Sequence, residues 1–556
     1  MNIKITSSWL FFWSIISCCV FFYAFWYNTN SYQDLVLWYQ QLNPNFYKSD
    51  QWTDLFFTPD VKSFGQWYSW FLVLFCLMIL WLLYKNGNHS ETRIIQFKIP
   101  KITKEGFSIF ILAMLNWWFW QGKALYATDE VFSALNFADK PFFQTISHYP
   151  LPNNHILYNA INHWFKYIAD DLVFSGRLLS GVFTALMMVN IYTFSENFTK
   201  SKVTRILIIL LLMSVFPIMG FSTQARGYSL HLLLGWIAFA QLYYYSKTQE
   251  ESNVIFYINV NALGMWTMPS YLYLWAGLTC GFCLKMMIDG KVNDRFFSST
   301  LQIFVLVLIL YLPVVTFSGW ASILDNKYVA LGQENTMTFI QSSFSSGYFQ
   351  GLFNDFFGTG PYTWLGVVMI LMSFILAWLG RKKTDLGLYI FSLILVFLIM
   401  SIVLRKFPFY RNLVSHGLMI WYLSLILIVV LIEGRKRIYH YFLSFFLLTL
   451  VSYFTYTNFN KFPFHLYYYD VNGFGNSLAT YDVSDFKDAK VFIHEESFFW
   501  HTPMKKITND INLGSILDQS ADVIIIDQSR SSIIDTTLWT KYGELGESQL
   551  WKNTKY

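Results

Sequence analysis

Two adjacent carboxylates are the residues of this sequence with the clearest chemical potential. Asp129 and Glu130 directly follow an apolar run, at the start of a predicted short amphipathic helix at residues 131–139. Neighbouring carboxylates repel each other, which can raise the pKa of one of them and suit it to act as a general base. The alternative is that Asp129 only caps the helix, because Asp is a preferred N-cap residue. Acid–base catalysis and helix capping are both open at this pair.

A polar loop and an arginine follow the acidic pair. Residues 147–158 contain two histidines, His148 and His155, together with two prolines and two asparagines. Such histidines bind polar substrates or simply lie on the surface of a loop. Arg177 lies just inside the next apolar run, and a buried arginine needs an anionic partner. Asp129, Glu130 or the phosphate of a ligand could be that partner.

Two more groups of positive charge lie in short turns between apolar runs. Arg226 is in the turn 222–230, and a guanidinium at this position can hold a phosphate through two N–H groups. Arg405, Lys406 and Arg411 are in the turn 405–411, where a lipid head group or simple snorkelling at the interface would explain them. Together these charges indicate a reaction on a phosphate-carrying lipid. The sequence contains no P-loop or GxGxxG motif, which would indicate a soluble nucleotide substrate, and no HExxH motif, which would indicate a zinc protease.

The composition shows what kind of scaffold must position these residues. Of the 556 residues 55% are hydrophobic and 13% are charged, whereas the charged share of soluble domains is about 25%. Soluble globular, disordered and collagenous proteins are therefore excluded. The net charge of +5 is small and is carried mostly by short loops, so nucleic acid is not an expected partner.

Apolar runs near the ~20 residues of a membrane helix predict thirteen spans. They are residues 9–27, 67–84, 107–123, 172–194, 206–222, 229–246, 254–268, 271–288, 298–317, 363–380, 387–404, 412–432 and 438–455. If the N-terminus is cytoplasmic, the clusters of Lys and Arg in the loops share the cytoplasmic side, as the positive-inside rule requires. The segment from about residue 456 is then outside the cytoplasm.

The last hundred or so residues have the character of a small soluble domain. Residues 489–494 (AKVFIH) and 521–527 (ADVIIID) predict buried β-strands. Residues 513–518 between them could start or end a short helix. The sequence therefore predicts a polytopic α-helical membrane protein with a small C-terminal α/β extracytoplasmic domain.

Four features, in order along the chain, resemble motifs of the GT-C glycosyltransferases. The nearest branch is glycosyltransferase family 39, which holds the protein O-mannosyltransferases and the lipid A aminoarabinose transferases. The features are Asp129-Glu130, residues 152–158 (PNNHILY), residues 177–180 (RLLS) and residues 224–229 (QARGYS). The match covers about residues 107–290 well and continues weakly to about 432, where Tyr410-Arg411 resembles the late arginine turn of the family. Ile156 stands where the family often has proline.

The resemblance implies a GT-C type fold and a polyprenyl-phosphate sugar as the donor. The acceptor would be a hydroxyl of a protein, a lipid or a glycan, outside the cytoplasm. Asp129 would be the general base of an inverting displacement, and Glu130 would support it or help to bind the acceptor. The lipid phosphate would be bound by Arg177, Arg226 and Arg411, and we add Lys327 of the polar segment 318–362 to this group.

The substrate is expected to contact polar and aromatic residues of the matched motifs. These are His148, Asn154, His155, Tyr158, Tyr228 and Tyr410. Some members of the family use a divalent cation and others do not. No cofactor is certain, and a cation held by Asp129, Glu130 and His155 stays open.

The expected organisation has three parts. An extra helix pair with its outer loop occupies residues 1–106, a GT-C-like catalytic core residues 107–455, and the extracytoplasmic domain residues 456–556. The abundance of Phe, Tyr, Asn and Lys is typical of a bacterium with an AT-rich genome. This favours a bacterial inner membrane, with membrane lipids around the chain. Two other functions compete with glycosyl transfer. The chain could be a transporter or flippase of a lipid-linked glycan, or a non-catalytic subunit that binds a partner through its C-terminal domain.

Overall fold

The computed structural model describes most of the chain. Its described residues are 2–86, 94–96, 103–124, 128–167, 171–290, 294–324, 335–345, 363–380, 384–408, 410–433, 435–461, 484–494, 497, 500–501, 504, 507–508, 510–515, 517–545 and 548–554. Lys327 lies outside these residues.

Helices make up most of the described residues up to Lys461. They are α1 (Ile5–Thr29), α2 (Tyr32–Leu42), α3 (Trp52–Leu55), α4 (Pro59–Asn86), α5 (Lys104–Gln121), α6 (Thr128–Ser133), α7 (Phe142–Ser147), α8 (Ile156–Phe165), α9 (Leu172–Phe194), α10 (Lys202–Ser214), α11 (Phe216–Ser222), α12 (Tyr228–Thr248), α13 (Glu251–Thr267), α14 (Tyr271–Ile288), α15 (Asp294–Leu310), α16 (Leu312–Phe317), α17 (Ala321–Leu324), α18 (Thr336–Ser345), α19 (Thr363–Gly380), α20 (Leu386–Leu404), α21 (Val414–Ile432) and α22 (Arg437–Lys461). Each of the thirteen predicted spans coincides with one of these helices or with a helix pair.

Within the described residues, seven helices are long and apolar enough to cross a membrane, by length and composition. The pair α10–α11, which bends by 67°, makes an eighth. Pro217 explains this break, because proline lacks the N–H that a continuous helix would use. Pro313 separates α15 from α16 in the same way. The chain is an integral membrane protein of the predicted polytopic helical class.

The first helices pack against the later ones. Helices α1 and α4 pair with each other, and α4 also contacts α15 and α16. Trp9 and Trp13 of α1 both donate indole N–H bonds to the Gln302 side chain of α15, at 2.8 and 3.2 Å. The Tyr27 hydroxyl donates to the carbonyl of Thr316 at 2.9 Å. The predicted boundary at residue 106 stays a prediction, although this helix pair is built into the bundle.

A mixed five-stranded sheet forms the C-terminal domain. Its strands are β3 (Val491–His494), β4 (Ile511–Gly514), β5 (Val523–Asp527), β6 (Trp539–Leu545) and β7 (Ser548–Asn553), in the order β4-β3-β5-β7-β6. Strand β3 runs parallel to β4 and β5, whereas β7 is antiparallel to β5 and β6. The first and third of these strands match the two predicted strands. The helix considered at residues 513–518 was wrong at its start, because β4 extends to Gly514. A separate short hairpin pairs β1 (Asn2–Lys4) with β2 (Ile94–Gln96).

One face of this sheet shares its hydrophobic core with the α6 region. Val131, Phe132, Leu135 and Phe137 belong to the same buried cluster as Val491, Ile493, Trp500, Val523 and Leu550 of the domain. The opposite face has its own cluster, which contains Phe492, Ile524, Trp539 and Trp551. We call the first cluster the shared core. The C-terminal domain is therefore packed onto the segment that carries the acidic pair.

Candidate active site

The acidic pair lies on α6, and its two members point in different directions. Successive helical residues are rotated by about 100°, so neighbours cannot share a face. Glu130 is fully buried, whereas the Asp129 side chain keeps 37% of its surface exposed. A single π-helical turn at Ala134–Ala138 follows α6 directly, and such turns are frequent at functional sites. The predicted amphipathic helix is confirmed in position, in two helical forms.

Glu130 is the partner of the buried Arg177. Both oxygens of its carboxylate accept hydrogen bonds from this guanidinium, which is 2% exposed, with Nε at 3.1 Å. The same carboxylate accepts the backbone N–H of Ala225 at 2.8 Å, and Arg177 also donates to the carbonyl of Ala124 at 3.2 Å. The pair thus ties α6 to α9 and to the turn before α12. Both side chains of this pair are therefore buried inside the protein.

Arg226 gathers several polar groups at the start of α12. It is 4% exposed and donates through Nη1 to the carbonyl of Asp129 at 3.0 Å and to the Ser133 hydroxyl at 3.1 Å. The Asn153 side-chain oxygen also accepts from this nitrogen. Its Nη2 lies 3.9 Å from Oδ2 of Asp129, close enough for charge attraction. Within the described residues, the buried Nε of Arg226 makes no hydrogen bond.

Arg411 is the second arginine that contacts Oδ2 of Asp129. It lies in the 3-10 turn Tyr410–Leu413 before α21, and its Nη1 donates to Oδ2 of Asp129 at 3.3 Å. Asp129, Arg226 and Arg411 therefore form one group, which we call the Asp129 site. The site brings together three elements from distant parts of the sequence. It holds one carboxylate and two guanidiniums, so its net charge is positive.

The environment of Asp129 sets its protonation. Burial raises the pKa of this carboxyl, but the charges of Arg226 and Arg411 outweigh that effect and hold the pKa below its usual value. The expectation of a raised pKa from two repelling carboxylates was wrong for Asp129. The reason is that Glu130 is neutralised by Arg177, while two further arginines face Asp129. Asp129 is thus a carboxylate at neutral pH, able to accept a proton.

His155 fixes the turn that presents Arg226. Its Nδ1 accepts the backbone N–H of Gly227 at 2.8 Å, and its Nε2 lies 3.3 Å from Nη2 of Arg226. A Cβ on Gly227 would lie 2.9 Å from the His155 ring, so only glycine allows this close approach. Burial, followed by the charge of Arg226, lowers the pKa of His155 well below its usual value, which keeps the ring neutral. Tyr228 packs edge-on against this ring at 5.0 Å and stacks on Phe221.

Three other predicted substrate contacts are buried and hydrogen-bonded within the protein. Nε2 of His148 donates to the carbonyl of Tyr47 at 2.6 Å, and burial lowers the pKa of His148 to about 3. The side-chain amide of Asn154 donates to the backbone carbonyls of Thr145 in α7 and of His148. The Tyr158 hydroxyl donates to the carbonyl of Gly176 at 2.5 Å. The structure places all three outside the group that surrounds Asp129.

The remaining predictions concern Tyr410, Lys327 and a metal site. Tyr410 begins the turn that carries Arg411, but its side chain, like Lys327, is outside the described part. Among the described residues, no group of three or more His, Cys, Asp or Glu side chains is placed to hold a metal ion. Asp129, Glu130 and His155 bind different partners and do not converge as ligands. The sequence reasoning missed Asn153 and Ser133 as partners of Arg226, although Asn153 lies in the motif 152–158.

Comparison with known proteins bears on the fold. No family model matches the sequence, and no curated protein matches it significantly. Among solved structures, ArnT from Cupriavidus metallidurans bound to undecaprenyl phosphate superposes with a TM-score of 0.52 at 8% identity, over 81% of this chain and 99% of that chain. Its apo form gives the same score and identity, over 81% and 98%. The chain has the GT-C fold.

A third solved structure shares less with this chain. The arabinosyltransferase EmbB from Mycobacterium smegmatis aligns with a TM-score of 0.41 at 12% identity. The alignment covers 65% of this chain and only 34% of EmbB, so this GT-C chain spans about a third of that protein's length.

Proposed function

We propose that this chain is a membrane glycosyltransferase that moves a sugar from a polyprenyl-phosphate donor to a hydroxyl of an acceptor. The observation that carries the proposal is the partly exposed Asp129 carboxylate between the guanidiniums of Arg226 and Arg411. A base and a phosphate site are the two groups that such a transfer needs. The GT-C fold and the undecaprenyl phosphate bound by ArnT support a lipid phosphate as carrier.

The charges of the site match those of the proposed reaction. Two guanidiniums and one carboxylate leave one net positive charge, which the single negative charge of a polyprenyl phosphodiester neutralises. During transfer Asp129 gains a proton, and the departing phosphate gains negative charge. The site and its ligand therefore stay neutral together throughout the reaction. Interactions of this kind grow stronger in the transition state and so accelerate the reaction.

The proposed step is a single displacement. The acceptor oxygen forms a bond to the anomeric carbon while its proton passes to the Asp129 carboxylate. The bond from the anomeric carbon to the phosphate oxygen breaks, and its electron pair stays on the lipid phosphate. Attack opposite the leaving group inverts the anomeric configuration. Arg226 and Arg411 stabilise the phosphate, and the buried Nε–H of Arg226 is a donor that a phosphate oxygen would satisfy.

Donor binding would also change the basicity of Asp129. In the unliganded site, Arg411 and Arg226 lower the pKa of this carboxyl. A phosphate that binds the same guanidiniums offsets their charge and weakens their hold on Asp129. The pKa of Asp129 then rises when the donor is in place, which makes it a stronger base when an acceptor can react.

The other predicted residues receive positioning roles in this proposal. Glu130 and Arg177 hold α6 against α9, and His155 holds the turn before Arg226. A direct phosphate contact for Arg177 is replaced by its pairing with Glu130. We place the Asp129 site and the C-terminal domain outside the cytoplasm of a bacterial inner membrane, as the distribution of loop Lys and Arg favours. The acceptor is a protein, a lipid or a glycan with a free hydroxyl.

Turnover of radiolabelled polyprenyl-phosphate sugars by the purified protein tests this function. Detergent-solubilised wild type is compared with Asp129→Asn and with Asp488→Asn, whose side chain is exposed on the C-terminal domain away from the site. We expect Asp129→Asn to lose sugar transfer by 10²-fold or more, in line with removal of a general base. Asp488→Asn is expected to keep wild-type turnover.

Three results would point elsewhere. Full transfer activity in Asp129→Asn would remove the base from the proposal. Movement of a lipid-linked glycan across proteoliposomes, without transfer and independent of Asp129, would favour the transporter. Co-purification of a stable partner, together with unchanged glycans in a deletion strain, would favour the subunit.

A further inference from the structure

A polar cavity lies where three distant parts of the chain meet. It has a volume of about 140 Å³, several times the space that one water molecule needs. Asn43 and Asn45 come from the loop after α2, Asp139 from the end of the π turn, and Asn512 from β4. Leu135 of the π turn adds an apolar wall. The cavity is thus formed only when the C-terminal domain is docked.

Asn43, Asn45, Asp139 and Asn512 keep hydrogen-bonding capacity for a ligand, whereas Lys140 and His501, which also line the cavity, have other interactions. Within the described residues, the Asn45 carboxamide and the Asp139 carboxylate make no side-chain hydrogen bond. The Nδ2 of Asn512 donates to Asp518, which leaves its Oδ1 available as an acceptor. Asn43 uses its Oδ1 to accept from the Asn45 backbone and keeps its amide N–H₂. The cavity therefore offers both donors and acceptors around a small apolar surface.

This mixture matches the chemistry of a sugar ring. Each sugar hydroxyl both donates and accepts, so carboxamides and a carboxylate can satisfy adjacent hydroxyls. The C–H face of the ring is apolar and suits a wall made of leucine and isoleucine. The volume is below the ~300–1,000 Å³ of pockets for drug-sized ligands, which limits the occupant to a single residue. A lipid chain would leave these polar groups unsatisfied.

The cavity and the Asp129 site lie at opposite ends of the same helical segment. Asp129 and Asp139 lie ten residues apart at the two ends of the helical segment 128–138. At about 1.5 Å per residue, this places their backbones about 15 Å apart. An acceptor that contains more than one sugar residue can reach from one to the other.

We propose that this cavity binds a sugar residue of the acceptor while a hydroxyl of the same acceptor reaches Asp129. The inference rests on the proposed function and names its acceptor class: a saccharide-bearing molecule. It assigns specificity-determining roles to Asn45, Asp139 and Asn512. The C-terminal domain then takes part in choosing the acceptor.

Binding of methyl glycosides to the full-length protein in detergent tests the cavity without any donor. Saturation-transfer NMR with methyl glycosides of mannose, glucose, galactose and arabinose gives the dissociation constants. Asp139→Asn and Asn45→Ala remove groups of the cavity, and Asp488→Asn on the exposed surface of the C-terminal domain is the matched control. We expect at least one glycoside to bind, and its dissociation constant to rise about tenfold in the double cavity variant, as loss of two hydrogen bonds implies.

The outcomes separate this inference from the proposed function. Glycoside binding that is equal in the wild type and the cavity variants overturns the inference, and so does the absence of binding at millimolar concentrations. Folding of each variant is checked by gel filtration and circular dichroism, and the Asn512→Ala variant replaces any that misfolds. The binding experiment contains no donor and does not depend on transfer. If glycosides bind in the cavity but the protein has no transferase activity, the proposed function is refuted and the assignment of the cavity stands.

Discussion

At the scale of single residues, the Asp129 site works through competition for positive charge. In the proposed reaction, the Asp129 carboxylate and the donor phosphate bind the same two guanidiniums, so a bound phosphate raises the pKa of Asp129. The lowered pKa of Asp129 is the sign of this sharing in the unliganded protein. Arg411 is the less buried of the two arginines, and its contact to Asp129 is a single hydrogen bond at 3.3 Å. Replacement of Arg411 therefore changes the charge around Asp129 with the smaller loss of buried contacts.

The first prediction concerns the pH dependence of Arg411→Gln. Loss of this charge leaves only Arg226 to oppose the effect of burial, so the pKa of Asp129 rises towards its usual value. Because Asp129 must be ionised to act, the acid limb of kcat/KM moves to higher pH. The pH profile of kcat/KM for transfer measures this shift. An acid limb unchanged in position, with only lower activity, would contradict the coupling.

The buried pair gives a second prediction at this scale. Glu130→Gln leaves the Arg177 guanidinium buried without a counter-charge, and breaking a buried ion pair costs about 3–5 kcal/mol. Asp129→Asn removes a partly exposed carboxylate and is expected to cost much less stability. Thermal unfolding of the two variants in detergent compares them directly. Equal melting temperatures would show that the Glu130–Arg177 pair does not hold α6 in place.

Sequence reasoning at the residue scale singled out residues that the structure brings together, but it did not predict which partner each of them has. The need of Arg177 for an anionic partner followed from its position in an apolar run, and Glu130 is that partner. Which of two adjacent acids turns inward depends on the rotation of α6 against α9, and spacing alone does not contain that angle. The same limit applies to His148, Asn154 and Tyr158, whose polar atoms bind nearby backbone.

At the scale of elements, apolar length was the reliable signal. Every predicted span lies on a helix or a helix pair, and within the described residues seven helices, or eight with the pair α10–α11, are long and apolar enough to cross a membrane. Strands β3 and β5 were found from their continuous apolar runs, which are typical of strands covered on both faces. Strands β4, β6 and β7 are less apolar and were not predicted. Their place depends on pairing with β3 and β5, which is a long-range property.

The shared core leads to a third prediction, on the link between the C-terminal domain and α6. Trp500 is buried in the shared core, and Trp539 is equally buried in the cluster of the opposite face. Replacement of either by alanine is expected to cost about 3–5 kcal/mol through the cavity that it leaves. Only Trp500→Ala borders the core that holds the Asp129 helix, so it alone is expected to lower kcat.

The measurement pairs turnover with hydrogen exchange of α6 in both tryptophan variants. Faster exchange of residues 128–138 with lower kcat in Trp500→Ala, and neither change in Trp539→Ala, is the predicted pattern. The same loss of kcat in both variants would mean that the domain acts only through overall stability.

At the scale of the whole molecule, the fold brings α6 and the turns before α12 and α21 together at the Asp129 site. The predicted topology places this site outside the cytoplasm, since the loops on the opposite side carry most of the Lys and Arg. The hydropathy of the chain gave the class of fold. The contacts between α1 and α15, more than 280 residues apart, could not be read from the sequence.

The fourth prediction is that the C-terminal domain faces the periplasm. Ser529→Cys in the exposed turn after β5 should react with a membrane-impermeant maleimide on intact spheroplasts. A cysteine introduced at Lys436, in the turn before α22, should react only after the membrane is opened. The reverse pattern would invert the proposed orientation and place the Asp129 site in the cytoplasm.

The central claim is that Asp129 is the base at a site whose arginines bind the lipid phosphate. Its most direct test measures undecaprenyl phosphate binding and sugar transfer in the same preparation of Asp129→Asn. The account predicts that transfer is lost while the lipid phosphate binds at least as tightly as in the wild type, because no carboxylate competes for Arg226 and Arg411. Retained transfer, or loss of phosphate binding together with transfer, would contradict it.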